Sequence, residues 1–62
     1  MERVDLDKIP ADVLALVRHQ VSLCDDWHEG EPTRFFIADG FPCVQYESGN
    51  WWHYDLERGT WF

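Results

Sequence analysis

Residues 34–62 read RFFIADGFPCVQYESGNWWHYDLERGTWF, and this stretch decides the fold. Apolar and polar side chains alternate through most of it, and a period of two is typical of β-strands. Clusters of Gly, Asp, Asn and Ser interrupt the alternation three times, as turns between strands do. The stretch therefore predicts four short antiparallel strands, at residues 34–38, 42–47, 51–56 and 60–62.

The first turn is the strongest local signal. Asp39 and Gly40 form a two-residue connection, and a type I′ turn needs positive φ at both of its central residues. Asp tolerates that backbone conformation and Gly adopts it freely. The turn predicts that Phe35 pairs with Val44.

The other two connections read as three-residue loops, at residues 48–50 and 57–59. In such loops the last residue commonly adopts a left-handed conformation, which the Asn and Gly at these positions can supply. This choice pairs Val44 with Tyr54, and Tyr54 with Phe62.

The predicted register sorts the strand side chains into two faces. The first face is almost wholly apolar and comprises Phe35, Ile37, Val44, Tyr46, Trp52, Tyr54, Leu56 and Phe62. The second face is mixed and comprises Phe36, Ala38, Phe41, Cys43, Gln45, Glu47, Trp51, His53, Asp55 and Trp61. A single helix can cover only one face, so the second is either open or an interface, unless the N-terminal tail and residues 25–33 fold over it.

An amphipathic helix is predicted before the sheet, near residues 9–24. Pro10 suits the first turn of a helix and Asp7 is a candidate N-cap. The apolar residues that recur at helical spacing are Ile9, Val13, Leu16, Val17 and Cys24. The sequence thus predicts an α+β domain over residues 1–62, with one N-terminal helix packed on one face of a four-stranded antiparallel meander, in the order α-β-β-β-β.

Charge and composition exclude several functional classes. The chain has twelve acidic and five basic residues and a net charge of −7, which argues against binding nucleic acid or an anionic membrane. The charged N-terminal residues contain no apolar run of signal-peptide type, so we expect a cytoplasmic protein. Cys24 and Cys43 are then expected to be reduced thiols.

Two arrangements of Cys and His were considered for chemistry. Zinc would require Cys24 and His28 to meet Cys43 and His53, but the helix places the first pair on the opposite face, and no C-x₂-C motif is present. A nucleophile pair of Cys43 and His53, oriented by Asp55, would lie on a flat sheet face without a pocket or oxyanion donors. We therefore predict no catalytic residue, no metal site and no cofactor.

One segment resembles a known repeat. Residues 47–55, followed by Gly59, Thr60 and Trp61, are similar to a cell-wall-binding repeat of the choline-binding type, which is a Gly-x-Trp-aromatic hairpin ending in a Gly turn. The resemblance covers about a quarter of the chain and implies hairpin structure. No ligand site is carried over from it.

The favoured function is a non-enzymatic interaction module. Its binding residues would be the aromatic side chains of the second face with the histidine among them: Phe36, Phe41, Trp51, His53 and Trp61. The expected partner is another protein or a second copy of the chain, since Trp-rich exposed patches are typical of interfaces. The alternatives are an acidic decoy that inhibits a basic nucleic-acid-binding protein, and a small domain stapled by zinc.

Overall fold

The predicted α+β architecture is confirmed by the structure, a computed structural model that describes residues 8–62. One helix, α1 (Ala11–Leu23), precedes four strands, which are β1 (Pro32–Ala38), β2 (Phe41–Tyr46), β3 (Trp51–Asp55) and β4 (Thr60–Trp61). The strands form an antiparallel sheet in the order β1-β2-β3-β4. No helix among the described residues is long and apolar enough to cross a membrane.

Helix α1 packs its apolar stripe against one face of the sheet. The buried cluster consists of Ile9, Val13, Leu16, Val17, Val44, Tyr46 and Tyr54. The helix begins two residues later than predicted, after Pro10, whose ψ of 144° is not helical. Asp7 lies outside the described residues. Cys24 was expected to extend the stripe, which is wrong, because the backbone becomes extended there and leaves the side chain exposed.

A hydrogen-bonded chain inside the core ties the helix to the sheet. The Tyr54 hydroxyl donates to Oε1 of Gln20 at 2.5 Å, so Tyr46 is the donor in the 2.5 Å hydroxyl–hydroxyl bond with Tyr54. Burial raises the pKa of both tyrosines, so they stay protonated. This chain satisfies the buried Gln20 and fixes the helix at one position over β2 and β3.

The first hairpin has the predicted register. Asp39 and Gly40 have φ values of 54° and 80°, as a type I′ turn requires. Phe35 pairs with Val44, and Phe36 pairs with Cys43. The predicted Asp-Gly turn is therefore confirmed.

The second hairpin differs from the prediction by two residues. Val44 pairs with Trp52 instead of Tyr54, and the loop comprises residues 47–49. Gly49 has a φ of 94° and therefore takes the left-handed position that was assigned to Asn50. Glycine pays no Cβ penalty there, which favours this loop. A shift of two residues leaves every side chain on its predicted face.

The third hairpin differs by one residue, and this changes the faces. Tyr54 pairs with Trp61, and Asp55 with Thr60, around a four-residue loop at 56–59. Trp61 therefore lies on the helix side, where its ring is 6.0 Å from that of His19. The expectation that Trp61 belongs to the second face is wrong, and Phe62 occupies that face instead.

The connection between α1 and β1 closes over the helix side of the sheet. The Trp27 ring makes an edge contact with Tyr46 at 5.1 Å and a tilted contact with Trp52 at 6.0 Å. Its indole N–H donates to the carbonyl of Gly30 at 2.9 Å. This connection thus extends the cover of the helix side and does not fold over the second face.

The tip of the same connection is bound to the β2–β3 loop. The Glu29 carboxylate accepts hydrogen bonds from the side chains of Ser48 and Asn50. The Ser48 backbone N–H donates to the Glu29 carbonyl at 3.1 Å. These bonds lower the pKa of Glu29 below its ordinary value, the Ser48 bond having the largest effect.

Candidate protein-binding face

We call the sheet surface opposite α1 the open face. Strand register places on it Arg34, Phe36, Ala38, Phe41, Cys43, Gln45, Trp51, His53, Asp55 and Phe62. Among the described residues, no ring contact, hydrogen bond or ion pair joins this set to α1 or to the connection that follows it. Within residues 8–62 the open face is therefore a second side-chain layer without a second element over it, and the N-terminal tail that could also fold over this face lies outside the described residues.

Four of the five predicted binding residues meet on this face. Phe36, Phe41, Trp51 and His53 form one contiguous cluster with Phe62. Trp61, the fifth, lies on the other side of the sheet. The sequence signal that we missed is Asp55, because Asp is favoured at the first position of a β-turn. Its carboxylate accepts the backbone N–H of Arg58 at 3.1 Å and starts the loop one residue earlier than predicted.

His53 lies at the centre of the cluster. Its ring is stacked on Phe62 with centroids 4.5 Å apart and is 5.0 Å from Trp51. The Phe41 ring makes edge contacts with both His53 and Phe62, at 6.2 and 5.2 Å. Such edge and stacked geometries are the favourable ones for aromatic rings, so the four rings hold one another in place.

The other half of the cluster is built on β1. The Phe36 and Trp51 rings lie 5.3 Å apart across β2. The Arg34 guanidinium is 4.7 Å from the centre of the Phe36 ring, a distance typical of a cation–π contact. This cation is held against the aromatic surface and marks one end of the open face.

Cys43 lies beneath these rings and has no exposed surface. Its thiol makes a weak hydrogen bond to the Phe41 carbonyl, with an Sγ–O distance of 3.4 Å. Burial raises the pKa of the thiol, which disfavours the thiolate that a nucleophile requires. The residue acts as a small apolar side chain that supports the cluster.

The polar atoms of His53 have unequal surroundings. Nδ1 is 3.3 Å from the Phe62 carbonyl oxygen. Nε2 is buried and makes no hydrogen bond, although the Asp39 carboxylate lies 3.4 Å away. The contact with Asp39 is thus electrostatic and fails the geometry of a hydrogen bond. It places an acid at the end of the open face opposite Arg34.

The cluster remains partly accessible to solvent. Trp51 is 44% exposed and Phe62 is 58% exposed, while the side chain of His53 between them is only 15% exposed. Scattered apolar side chains are ordinary on a protein surface, but adjacent aromatic side chains form the kind of patch that marks an interface.

The geometry required for catalysis differs from the one considered from the sequence. The predicted register placed Asp55 directly opposite Cys43, whereas His53 is the strand partner of Cys43 in the structure. Asp55 is engaged by Arg58, whose Nε lies 3.7 Å from its carboxylate. Within residues 8–62, no three His, Cys, Asp or Glu side chains lie close enough together to hold a metal ion. Cys24 is exposed at the end of α1, on the helix side of the sheet.

An apolar groove of about 360 Å³ lies on the helix side, between α1 and the connection that carries Trp27. Its walls include Leu14, Val17, Val21 and Tyr46. The only buried side-chain polar atom without a partner among residues 8–62 is Nε2 of His53, on the other side of the sheet. Arg18, Ser22 and Glu31 also line the groove, but it contains no buried and unpartnered side-chain polar atom among the described residues that would orient a ligand.

The chain has no significant similarity to any protein-family model, curated protein or solved structure with which it was compared. Its function must therefore be argued from the open face itself.

Proposed function

We propose that this chain is a non-enzymatic protein-interaction module that binds a partner protein through the open face. The observation that carries this proposal is the exposure of Trp51 and Phe62 on either side of His53. Exposed aromatic side chains that rest on a rigid buried layer are typical interface anchors, because little conformational entropy is lost when they are covered.

Charge indicates the chemistry of the partner surface. The chain has a net charge of −7, yet the groups that contact the cluster are one base, Arg34, and one acid, Asp39. Asp55, which also lies on this face, is contacted by Arg58, so the charges described on the open face balance one another. We expect a largely apolar partner surface with few charges at its centre.

A cytoplasmic location is part of this proposal. Both cysteines are free thiols, which suits a reducing compartment. Neither thiol has a role in the proposed binding.

Photo-crosslinking in extracts of the source cell tests the proposal. Arg34 and Arg18 are both exposed arginines, the first on the open face and the second on α1. Replacing each in turn with p-benzoylphenylalanine provides a matched pair of probes. We expect a discrete adduct from position 34, of the same mass in repeated preparations, and none from position 18.

The adduct mass identifies the kind of partner. A discrete mass other than twice the chain indicates a foreign protein. A mass of twice the chain indicates a second copy, which is bound at the open face if Trp51→Ala abolishes the adduct and at the edge of β1, to which residue 34 also belongs, if it does not. The yield should survive added salt, because apolar docking depends weakly on ionic strength. An adduct lost at high salt would favour the acidic decoy. Equal adducts from both positions, or none from position 34, would contradict the proposal.

A further inference from the structure

The sheet order leaves two edge strands of unequal length. Strand β4 spans two residues, whereas β1 spans seven, from Pro32 to Ala38. An uncovered edge presents backbone donors and acceptors that can pair with another strand. Strand β1 is therefore the longer template.

Hydrogen-bond alternation shows which groups of β1 point outward. A two-residue hairpin turn makes Ala38 and Phe41 a hydrogen-bonded pair. Hydrogen-bonded and non-hydrogen-bonded pairs alternate along an antiparallel ladder, so Phe36 is hydrogen-bonded to its β2 partner and Ile37 is not. Pro42 lies opposite Ile37, and its missing N–H agrees with this assignment. The N–H and C=O groups of Phe35 and Ile37 thus point away from β2. Neither residue makes a backbone hydrogen bond to any other element among residues 8–62.

The protection of this edge against pairing is confined to its start, where Pro32 and a bulge between Pro32 and Arg34 interrupt the strand. Lys residues, an inward-pointing charge or a central Pro commonly block an edge strand, whereas β1 has Pro only at its first position. Ile37 is 63% exposed, although it occupies the helix side of the sheet. An apolar β-branched side chain beside two unpaired backbone groups is favourable for strand addition.

We propose that β1 pairs antiparallel with β1 of a second copy, about a two-fold axis at Phe36. Phe35 of each copy then bonds to Ile37 of the other, through the outward N–H and C=O groups. The product is a continuous eight-stranded sheet in which two open faces lie side by side. This interface is separate from the open face and doubles its width.

Self-complementary charge favours a second copy over a foreign strand. In this register Arg34 lies opposite Ala38 of the other copy, next to its Asp39. Arg34 of each copy therefore lies close to Asp39 of the other copy, so the dimer contains this contact twice. The two contacts offset part of the electrostatic repulsion between two acidic chains. The Ile37 side chain of each copy also packs against the Phe35 side chain of the other copy.

The substitution Ile37→Pro tests the pairing selectively. It removes an outward N–H and leaves the β1–β2 ladder intact, because Ile37 donates nothing to β2. Ile37→Val is the matched control, since it keeps the N–H and a β-branched side chain. Sedimentation equilibrium should show dimers for the wild type and for Ile37→Val, and an at least about tenfold higher dissociation constant for Ile37→Pro.

A second measurement does not depend on how the proline variant folds. Amide hydrogen exchange of the wild type should show protection at Phe35 and Ile37 that rises with protein concentration. Exchange independent of concentration at these amides, or a monomer at about 1 mM, overturns the edge pairing. A dimer that tolerates Ile37→Pro but is lost in Trp51→Ala also overturns it, while supporting the proposed role of the open face.

Discussion

The rings of His53 and Phe62 are stacked, with their planes 2° apart and their centroids 4.5 Å apart. They are also a backbone pair, because each N–H donates to the carbonyl of the other residue, at 2.9 and 3.0 Å. This pair fixes the register of β4, and the register decides which of the last two aromatic residues belongs to the open face.

The register of β4 predicts that alanine substitutions at Trp61 and Phe62 differ in their effect on the free energy of unfolding. Trp61→Ala should destabilise the fold by about 1–3 kcal/mol, since a half-buried ring packed on the core is lost. Phe62→Ala should change the free energy of unfolding by about 1 kcal/mol or less, because this ring is largely exposed. Urea unfolding of both variants measures the difference.

Binding should show the reverse order for the same two variants. The crosslinked adduct from position 34 should be reduced in Phe62→Ala and retained in Trp61→Ala under conditions in which both are folded. If Trp61→Ala loses the adduct and Phe62→Ala keeps it, the assignment of the two rings to opposite faces is wrong.

Thiol reactivity distinguishes a supporting cysteine from a nucleophile. Cys24 is exposed, whereas Cys43 is fully buried and its pKa is raised by burial. We expect the native protein to react quickly with a thiol reagent at Cys24 alone, and at Cys43 only after unfolding. The variant Cys24→Ser should then show no fast phase. Rapid modification of Cys43 in the native protein would revive the Cys–His interpretation.

The contact between the Trp27 connection and the β2–β3 loop predicts a pH effect. The pKa of Glu29 is lowered from its ordinary value of 4.5, chiefly by the hydrogen bond from Ser48 and next by that from Asn50. Because the folded pKa is the lower one, this contact stabilises the fold above about pH 4.5 and is lost as the pH falls through the folded pKa.

Nuclear magnetic resonance titration of the Glu29 carboxyl tests this effect. Ser48→Ala should move its pKa upward, towards the ordinary value. The control is Ser22→Ala, which removes a hydroxyl that is bound to His19 on α1 and should leave the midpoint of Glu29 unchanged. The same midpoint in both variants would contradict the contact.

The strand register was predicted correctly only where the turn sequence determines the backbone conformation of the turn. Asp39-Gly40 defines φ at both central positions, so the register of the first hairpin is read directly from two residues. The longer loops permit more than one end point. In the second, Gly49 competes with Asn50 for the left-handed position, and Gly49 takes it one position earlier than predicted, which shifts the strand register by two residues.

Tertiary packing decides the remainder of the candidate site. The choice between Trp61 and Phe62 for the helix side depends on the space beside His19, and no local pattern encodes that space. Alternation alone fits both registers, because the last two residues are both aromatic. The aromatic composition of the open face could therefore be predicted, but the identity of its last member could not.

The central claim is that the open face binds a protein, and Trp51→Ala tests it most directly. Leu23→Ala is the matched control, because Leu23 is 64% exposed and lies at the end of α1, away from the open face. We predict that Leu23→Ala unfolds within about 1 kcal/mol of the wild type. Trp51→Ala should lose about 1–2 kcal/mol, because its ring is more than half covered by the cluster, and should remain folded. Adduct formation from position 34 should fall at least about tenfold in Trp51→Ala and stay unchanged in Leu23→Ala. Equal adduct yields in the two variants, with Trp51→Ala destabilised by about 3 kcal/mol or more, would contradict the claim and make the aromatic cluster a second core.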